Sequence, residues 1–198
     1  MNALVWNARG LGSDRAFRVL LKYKQDYSPD IIFLMETKSN HIQMETIRVK
    51  LGFVGKLVVD YVGNNGGLCL LWTDKVNVSL LSFSRFHIDV RVSSWNERDW
   101  RFTGFYCNLD TGQHKHVWNL LQHLHGMAQL PWLCSGDFNE ILSADEKVGG
   151  LPRSRLMIEN FRVTLEYYGF DDLGFQGSRF TWSNKRAGGD LIQERLDR

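Results

Sequence analysis

The sequence predicts an α/β fold in which two β-sheets pack together and helices lie on the outside. Three observations support this prediction. An apolar stretch, a helical pattern and a second apolar stretch follow one another within residues 3–36. The same succession returns within residues 100–139, and the segment between the two blocks is rich in strand-forming residues. Two such blocks in one chain are typical of a layered domain with its sheets in the middle.

The composition is that of one globular domain, which we assign to residues 1–198. Hydrophobic residues make up 43% of the chain and charged residues 23%, so a disordered chain is excluded and one sizeable core is expected. The formal net charge of +2 does not by itself indicate nucleic-acid binding, because that function usually concentrates basic charge on one surface.

The first block predicts a strand, a helix and a second strand. Residues 3–6 are apolar, and Asn7 stops the run before a glycine-punctuated loop. An amphipathic pattern with a capping signal at Ser13 or Asp14 follows at residues 13–27. Residues 31–35 form a continuous apolar run that Glu36 closes, which is typical of a strand covered on both faces.

The middle of the chain predicts one helix and then an antiparallel meander. In the helix, Ile42, Ile47 and Leu51 are expected to share a face, and Gly52 is expected to end it. The expected strands are KLVVDYV, GLCLLWT, NVSLLSF, HIDVRVSSW and WRFTGFYCN, with GNNGG and SWNERDW as turns.

The last third predicts two helices and three strands. A helical pattern in HKHVWNLLQHLH puts Val117, Leu120, Leu121 and Leu124 on one face, and the strand LPWLCSGDFN follows it. A second helix is expected near RLMIENFRVTLEYYG, and two short strands are expected in RFTWSN and LIQERLD.

Three cysteines, Cys69, Cys107 and Cys134, lie far apart inside apolar runs, which favours buried free thiols in a reducing compartment. No leader-like segment opens the chain, and no apolar run has the roughly 18 residues that a membrane span requires. These features predict an intracellular protein with no membrane partner.

Polar side chains stand at the predicted strand ends, where the ligand sites of sheet proteins gather. These residues are Asn7, Glu36, Tyr106, Asp137, Asn139, Thr181 and Asp197. Carboxylates, carboxamides and hydroxyls suit a hard cation such as Mg²⁺, whereas the histidine and cysteine ligands of zinc are missing from this set. Taken singly, each residue is also compatible with a turn former or a helix cap.

Four basic residues lie in loop-like sequence, in LPRSRL and SNKRAGG. They are Arg153, Arg155, Lys185 and Arg186. Solvated loop charge is one interpretation of them, and contact with the phosphates of a nucleic acid is the other.

Seven segments resemble, in order, the motifs of the endonuclease/exonuclease/phosphatase superfamily. They are VWNARGLG, IIFLMETK, GFYCN, PWLCSGDFNEIL, EKVGGLPRSR, DDLGFQGSRFTWSN and ERLDR. More narrowly, the chain is similar to the apurinic-type endonuclease domain of plant non-LTR, LINE-type retroelements. The resemblance implies a four-layered α-β-β-α sandwich of two mixed sheets flanked by helices. It also implies a Mg²⁺-dependent DNA endonuclease, with Mn²⁺ as the alternative ion.

The resemblance also implies roles for the strand-end residues. Glu36 is the expected principal metal ligand, with Asn7 beside it and Asp197 near the metal. Asp137 is expected to orient and deprotonate the attacking water as a general base. Asn139 and Tyr106 are expected to donate hydrogen bonds to the phosphate, and Thr181 corresponds to a further site residue. The implied partners are DNA and a downstream reverse transcriptase region, and the implied compartment is the nucleus.

One motif of the resembled family is missing from this sequence. Family members continue past ERLDR into further strands and a Ser-Asp-His motif, and the histidine of that motif lies against the scissile phosphate. Losing one such phosphate-stabilising group lowers rates by about 10²–10³-fold. We therefore expect a domain that is incomplete at its C-terminus, with its last strands missing and with weak or absent cleavage.

The best candidates in this sequence to replace the missing histidine are His114, His116, His123 and His125. Both H-x-H pairs lie in a predicted helix, where positions two apart point about 200° from each other. They are expected to be solvated residues of the helix face.

Two other functions remain open from the sequence. One is a phosphatase acting on small molecules or inositol phosphates, which would share the metal site and differ in its surface loops. The other is a non-catalytic nucleic-acid-binding remnant or a pseudogene product. The segment EKVGGLPRSR favours the retroelement endonuclease.

Overall fold

The computed structural model describes residues 1–63, 66–95, 97–107, 114–127 and 129–198. These residues fall into two compact units. The first unit contains Met1–Tyr106 and Leu130–Gly136, and the second contains Cys107–Gln129 and Asp137–Arg198. In the described part of the chain, no helix is both long enough and apolar enough to cross a membrane.

The first unit contains a four-stranded mixed sheet with the strand order β1-β2-β4-β3. Its strands are β1 (Ala3–Asn7), β2 (Ile31–Met35), β3 (Gly55–Val59) and β4 (Leu68–Trp72). β1 and β2 are parallel, whereas β4 is antiparallel to both β2 and β3. All five residues of β2 are buried, as its continuous apolar run predicts for a central strand.

Two helices pack on this sheet, and the first begins at a predicted cap, whereas the cap of the second was not predicted. α1 (Asp14–Tyr27) is capped by the Ser13 side chain, and α2 (His41–Leu51) begins with a capping box between Asn40 and Gln43. Gly52 ends α2 in the left-handed conformation, as predicted.

The predicted apolar face of α2 is wrong at one position. Ile42 is 75% exposed, and Met44 joins Ile47 and Leu51 in the core instead. The physical reason is the helical repeat: Ile42 and Ile47 are five residues apart, which turns their side chains about 140° away from each other. Met44 and Leu51 are three and four residues from Ile47 and therefore share its face.

The second sheet of the first unit has the strand order β5-β6-β7-β8. Its strands are β5 (Asn77–Ser84), β6 (His87–Ser94), β7 (Glu97–Tyr106) and β8 (Trp132–Asp137). The predicted meander is therefore divided between two sheets, because β4 pairs with β2 and β3 pairs with β4, whereas β5, β6 and β7 form an antiparallel series in the other sheet.

The two predicted turns have different outcomes. In the segment SWNERDW the turn is shorter than predicted, because β7 already begins at Glu97. Asn96 of this segment lies outside the described residues. Two asparagines of GNNGG, Asn64 and Asn65, also lie outside them.

Two apolar clusters give the first unit three layers. One cluster joins α1 and α2 to the first sheet through Leu20, Met44 and Leu34, among others. The other joins the two sheets, where Phe33 of β2 meets Phe102 of β7 edge to face with ring centroids 5.9 Å apart. The structure thus has the predicted mixed α/β class, with two mixed sheets flanked by helices.

A buried polar network ties the strands that lead toward the candidate site. Arg101 donates two hydrogen bonds to Asp89, at 2.8 and 2.9 Å, and Thr103 donates a third to the same carboxylate at 2.6 Å. The indole nitrogen of Trp132 donates to the Thr103 hydroxyl at 2.8 Å. Side-chain hydrogen bonds therefore connect β6, β7 and β8 within the sheet, before β7 and β8 reach their carboxyl ends.

The second unit contains two helices and a small antiparallel sheet. The helices are α3 (His114–His125) and α4 (Arg155–Tyr167), and both lie where the sequence predicts helices. The sheet has the order β10-β11-β9, with β9 (Lys147–Val148), β10 (Trp182–Ser183) and β11 (Gln193–Glu194). The sequence predicts β10 and β11 but not the two-residue strand β9.

Candidate functional site

Asn7 and Glu36 meet where the two parallel strands of the first sheet end. Asn7 is the last residue of β1 and pairs in register with Met35, the last residue of β2, so Glu36 follows directly at the same edge. The Asn7 side-chain amide donates a hydrogen bond of 2.8 Å to Glu36 Oε1. The parallel pairing of β1 with β2 thus brings these two predicted site residues together.

The backbone around Glu36 has an unusual conformation. Arg9, Glu36 and Lys38 have φ angles of 49°, 49° and 47°, in the left-handed region that non-glycine residues rarely adopt. Gly10 N donates to Glu36 O at 2.8 Å, and Leu11 N donates to Thr37 O at 2.9 Å, so the two loops support each other. Such backbone strain, about 1–3 kcal/mol per residue, is concentrated at functional sites in proteins.

The donor atoms of this pair fit a magnesium ion. Half-buried Glu36 receives one hydrogen bond from the described residues, on Oε1, and Asn7 Oδ1 accepts a long 3.2 Å bond from Arg9 N. No cluster of three or more histidine, cysteine or acidic residues able to hold a metal occurs within the described ranges. A single carboxylate with an amide oxygen suits Mg²⁺, which keeps several waters and takes other ligands from substrate phosphates.

Asp137 is the last residue of β8 and Asn139 lies in the loop that follows, and both belong to the second unit. Both are buried, and Asn139 N donates to Asp137 Oδ1 at 3.0 Å. The Asn139 side-chain amide donates to the backbone carbonyl of Cys107, whose own N–H donates to Asp137 O at 2.8 Å. Asn139 has a φ of 51°, so this loop also contains a left-handed residue.

Thr181 and Asp197 belong to the same group as Asp137. The Thr181 hydroxyl accepts hydrogen bonds from Leu196 N at 3.0 Å and from Asp197 N at 3.1 Å. Asp197 forms an antiparallel bridge with Asp137. The structure thus gathers four predicted site residues within the second unit, Asp137, Asn139, Thr181 and Asp197.

Tyr106 ends β7 in the first unit, and its N–H donates to Phe86 O at 2.8 Å. Its phenol is half-buried. The prediction that Tyr106, the Asn7–Glu36 pair and the group around Asp137 serve one reaction stays a prediction.

The three cysteines are free, with Cys69 and Cys107 buried and Cys134 half-buried. Burial raises the pKa of the Cys107 thiol to about 12, and the neighbouring charges of Asp137 and Glu140 raise it further in the same direction. Burial also raises the pKa of Cys69 and of Cys134. Thiols with raised pKa values are poor nucleophiles and poor metal ligands, which agrees with a site made of oxygen donors.

The four basic residues interpreted either as solvated loop charge or as phosphate contacts lie in different surroundings. Arg153 is half-buried and paired with Glu194, at 2.7 Å. Arg155 is exposed and is the first residue of α4, so the loop predicted there is already helical. Lys185 and Arg186 are exposed in the loop after β10.

The histidines of α3 were expected to be solvated residues of the helix face. His123 and His125 are exposed, as predicted, and the ring of His125 lies 5.2 Å from that of Tyr168. The side chains of His114 and His116 lie outside the described part of the chain.

Sequence reasoning missed the ion pairs around the Asp137 loop. Glu194 binds Arg153 and Lys147, whereas Glu146 and Asp172 both bind Arg195 and Arg198. The alternation of charge in ERLDR was a signal for them, but the partners lie 23–52 residues away along the chain.

Comparisons with known proteins give a match to one family. The sequence model of the Endonuclease/Exonuclease/phosphatase family matches residues 4–198. No curated protein sequence matches the chain significantly.

Solved structures with low sequence identity share the fold. The endonuclease domain of TRAS1, a telomere-specific non-LTR retrotransposon, is 15% identical with a TM-score of 0.71, over 98% of this chain and 82% of that one. The 3′ phosphatase NExo from Neisseria, bound to a product DNA hairpin, is 17% identical with a TM-score of 0.68, over 100% and 84% of the chains. An AP endonuclease from Archaeoglobus fulgidus is 14% identical with a TM-score of 0.64, over 98% and 86%.

Proposed function

Because the chain belongs to the Endonuclease/Exonuclease/phosphatase family, we propose that it is a Mg²⁺-dependent phosphodiester hydrolase domain that acts on DNA. The order of its sequence motifs and its likeness to the TRAS1 endonuclease domain support an endonuclease of retroelement origin. We also propose that the element is of the plant LINE type, that a downstream reverse transcriptase region is a partner of this domain, and that the domain acts in the nucleus.

The observation that carries this proposal is the Asn7–Glu36 pair. It presents a carboxylate that receives one described hydrogen bond, at the carboxyl ends of two parallel strands. Ligand sites of sheet proteins form at such ends. When bound, Mg²⁺ would polarise a phosphoryl oxygen and neutralise part of the charge of the phosphate.

The remaining roles belong to Tyr106 and to the group around Asp137. The carboxylate of Asp137 takes a proton from the attacking water, and the side chains of Asn139 and Tyr106 donate hydrogen bonds to the phosphate. Asp197 and Thr181 support Asp137, since the Thr181 hydroxyl holds the backbone of Asp197 at the bridge to Asp137.

Metal binding is the first test, because it does not depend on the cleavage rate. Titration calorimetry with Mg²⁺ and Mn²⁺ compares the wild type with Glu36→Gln, which keeps the size of the side chain and removes its charge. We expect the affinity for both metal ions to fall in Glu36→Gln by more than about 10–100-fold. That range is typical of losing a residue that only hydrogen-bonds to a metal ligand. The control is Glu159→Gln, because Glu159 is an exposed acid of α4 paired with Arg162. Equal affinity in Glu36→Gln and the wild type would contradict the assignment.

Cleavage is the second test, and it uses supercoiled plasmid with protein in excess because the sequence predicts a slow reaction. Nicking that requires Mg²⁺ and exceeds the rate of an Asp137→Ala variant supports the hydrolase. A wild type that binds neither metal ion would instead favour a non-catalytic nucleic-acid-binding remnant.

A phosphatase is the second candidate function, favoured by the likeness to the 3′ phosphatase NExo. The assay uses a DNA duplex with a nick that carries a 3′-phosphate. Release of inorganic phosphate without cutting of intact plasmid would support the phosphatase over the endonuclease.

A further inference from the structure

We propose that Arg153 is a positioning residue for Asn139, and that Glu194 holds Arg153 in the orientation this task requires. The proposal rests on the function proposed above, because it gives Arg153 a task within the same site. It differs from the expectation that Arg153 contacts DNA phosphates directly.

Each of the three nitrogens of the Arg153 guanidinium donates a hydrogen bond within the second unit. Its Nε and Nη2 donate to Glu194 Oε1 and Oε2 at 3.1 and 2.7 Å, and its Nη1 donates to the backbone carbonyl of Asn139 at 3.1 Å. A planar guanidinium held at two points by a carboxylate has its third nitrogen fixed in direction. That nitrogen is the one bound to Asn139.

Asn139 lies in the middle of a loop that is held at three consecutive residues. Phe138 N donates to Leu196 O at 3.0 Å, Arg153 binds Asn139 O, and Arg198 Nη1 donates to Glu140 O at 3.2 Å. The left-handed φ of 51° at Asn139 is maintained between these contacts. Residues in that conformation persist when the surrounding structure holds them there.

The charges of the pair remain in place at neutral pH. Burial alone would raise the pKa of Glu194, but hydrogen bonds from Arg153 and Lys147 outweigh it, so the pKa lies below its ordinary value. The hydrogen bond to Glu194 raises the pKa of Arg153. The side chain of Glu194 is only 6% exposed, and that of Arg153 is 24% exposed. A phosphate that displaced Glu194 from Arg153 would leave the buried Glu194 carboxylate with one cationic partner fewer.

The experiment compares Arg153→Gln, Glu194→Gln and Arg153→Lys with the wild type in residues 1–198. Arg162→Gln is the matched control, because it removes an arginine of the same unit that pairs with exposed Glu159. Thermal melting first identifies any variant that fails to fold, and Glu194→Gln and Arg153→Lys then carry the test.

The first readout is the nuclear magnetic resonance signal of the Asn139 side-chain amide, which donates to Cys107 O. We expect Arg153→Gln and Glu194→Gln to move this signal in the same direction. Arg153→Lys should move it part of the way, since one ammonium reaches Glu194 or the carbonyl but does not reproduce the fork. Arg162→Gln should leave it in place. An unchanged Asn139 signal in Arg153→Gln would overturn the proposal.

The second readout is the affinity for a DNA duplex at several salt concentrations. Positioning predicts that Arg153→Gln and Glu194→Gln keep the wild-type salt dependence. A direct phosphate contact predicts that Arg153→Gln lowers the slope by about 0.9 and that Glu194→Gln strengthens binding, because it frees the arginine. That pair of results would also overturn the proposal. Failure of the proposed function is seen separately, as a wild type that binds no metal ion.

Discussion

The pair Asn7–Glu36 and the loop 137–140 are held in place by different means. Glu36 receives one described side-chain hydrogen bond, and its position follows from the parallel ends of β1 and β2. The loop 137–140 is held through its backbone by Arg153, Leu196 and Arg198. Acidic partners fix these two arginines in turn.

This difference corresponds to the chemistry proposed for each region. A metal ligand must keep lone pairs available for the ion, so few protein donors should bind its carboxylate. A general base and a phosphate donor must be held in one direction, because a small displacement costs much of the rate. The sparse contacts of Glu36 and the many contacts of the loop are therefore what their proposed roles require.

The largest expected effect is a loss of stability when a glycine in each of the two regions is replaced by alanine. Gly136 precedes Asp137, and a Cβ there would lie 1.9 Å from Phe105 O, a backbone atom that has little room to move. Gly10 follows Asn7, and the nearest atom to its Cβ would be Lys38 Cδ at 3.8 Å. We expect Gly136→Ala to lower the free energy of unfolding by about 3 kcal/mol. Gly10→Ala should lower it by about 1–2 kcal/mol, through its left-handed φ of 103° alone.

Urea denaturation of the two variants measures both values. Equal losses would show that the backbone around Asp137 is no more tightly packed than the loop after β1. A larger loss in Gly10→Ala would reverse the comparison.

The sequence predicted the Asn7–Glu36 region better than the Asp137 region, and the reason is the range of the interactions. A polar residue after each apolar run places Asn7 and Glu36 once the two strands are parallel, and this needs only residues 3–36. Capping signals such as Ser13 and Gly52 are equally local, and both were confirmed.

The contacts of the Asp137 region join residues far apart along the chain. Arg153 and Glu194 are separated by 41 residues, and β9 exists only because Lys147 and Val148 pair with β11. A two-residue strand has no periodicity, and a charged residue in a loop has no sequence signal for its partner. The division of the meander between two sheets was missed for the same reason, because local patterns specify strands but not which strand pairs with which.

The next largest effect is expected in Mg²⁺ affinity, which should fall in Asn7→Ala but not in Asn139→Ala. Asn7→Ala removes the amide that binds Glu36 Oε1, so the affinity for Mg²⁺ should fall by roughly 10-fold, the lower end for a group that orients a ligand. Asn139→Ala should leave the affinity within about twofold of the wild type, because its proposed partner is the phosphate.

Titration calorimetry on both variants decides between these roles. If Asn139→Ala lost much of the Mg²⁺ affinity and Asn7→Ala little, metal binding would have to be assigned to the region of Asn139 instead of to the Asn7–Glu36 pair.

The smallest expected effect is a pH dependence that is confined to the Asp137 region. The folded-state pKa of Glu194 lies below its ordinary value, because hydrogen bonds from Arg153 and Lys147 outweigh the effect of burial. A group with a depressed folded-state pKa contributes stability that is present above its ordinary pKa and is lost as pH falls through the folded value. The contribution of Glu194 should therefore be complete at neutral pH and should decrease below about pH 4.

Hydrogen exchange at the Phe138 amide, which donates to Leu196 O, reports on this region. The protection of Phe138 in the wild type should exceed that in Glu194→Gln at neutral pH, and the two should converge as the pH is lowered below about 4. The amide of Ala8, which donates to Met35 O at 2.9 Å beside the Asn7–Glu36 pair, is the matched position in the first unit. Its protection should be the same in the wild type and in Glu194→Gln at every pH, because Glu194 has no described contact there. A difference between the two proteins that persists undiminished at low pH would show that Glu194 supports the loop by packing rather than by its charge. The ion pair with Arg153 would then not be what holds Asn139.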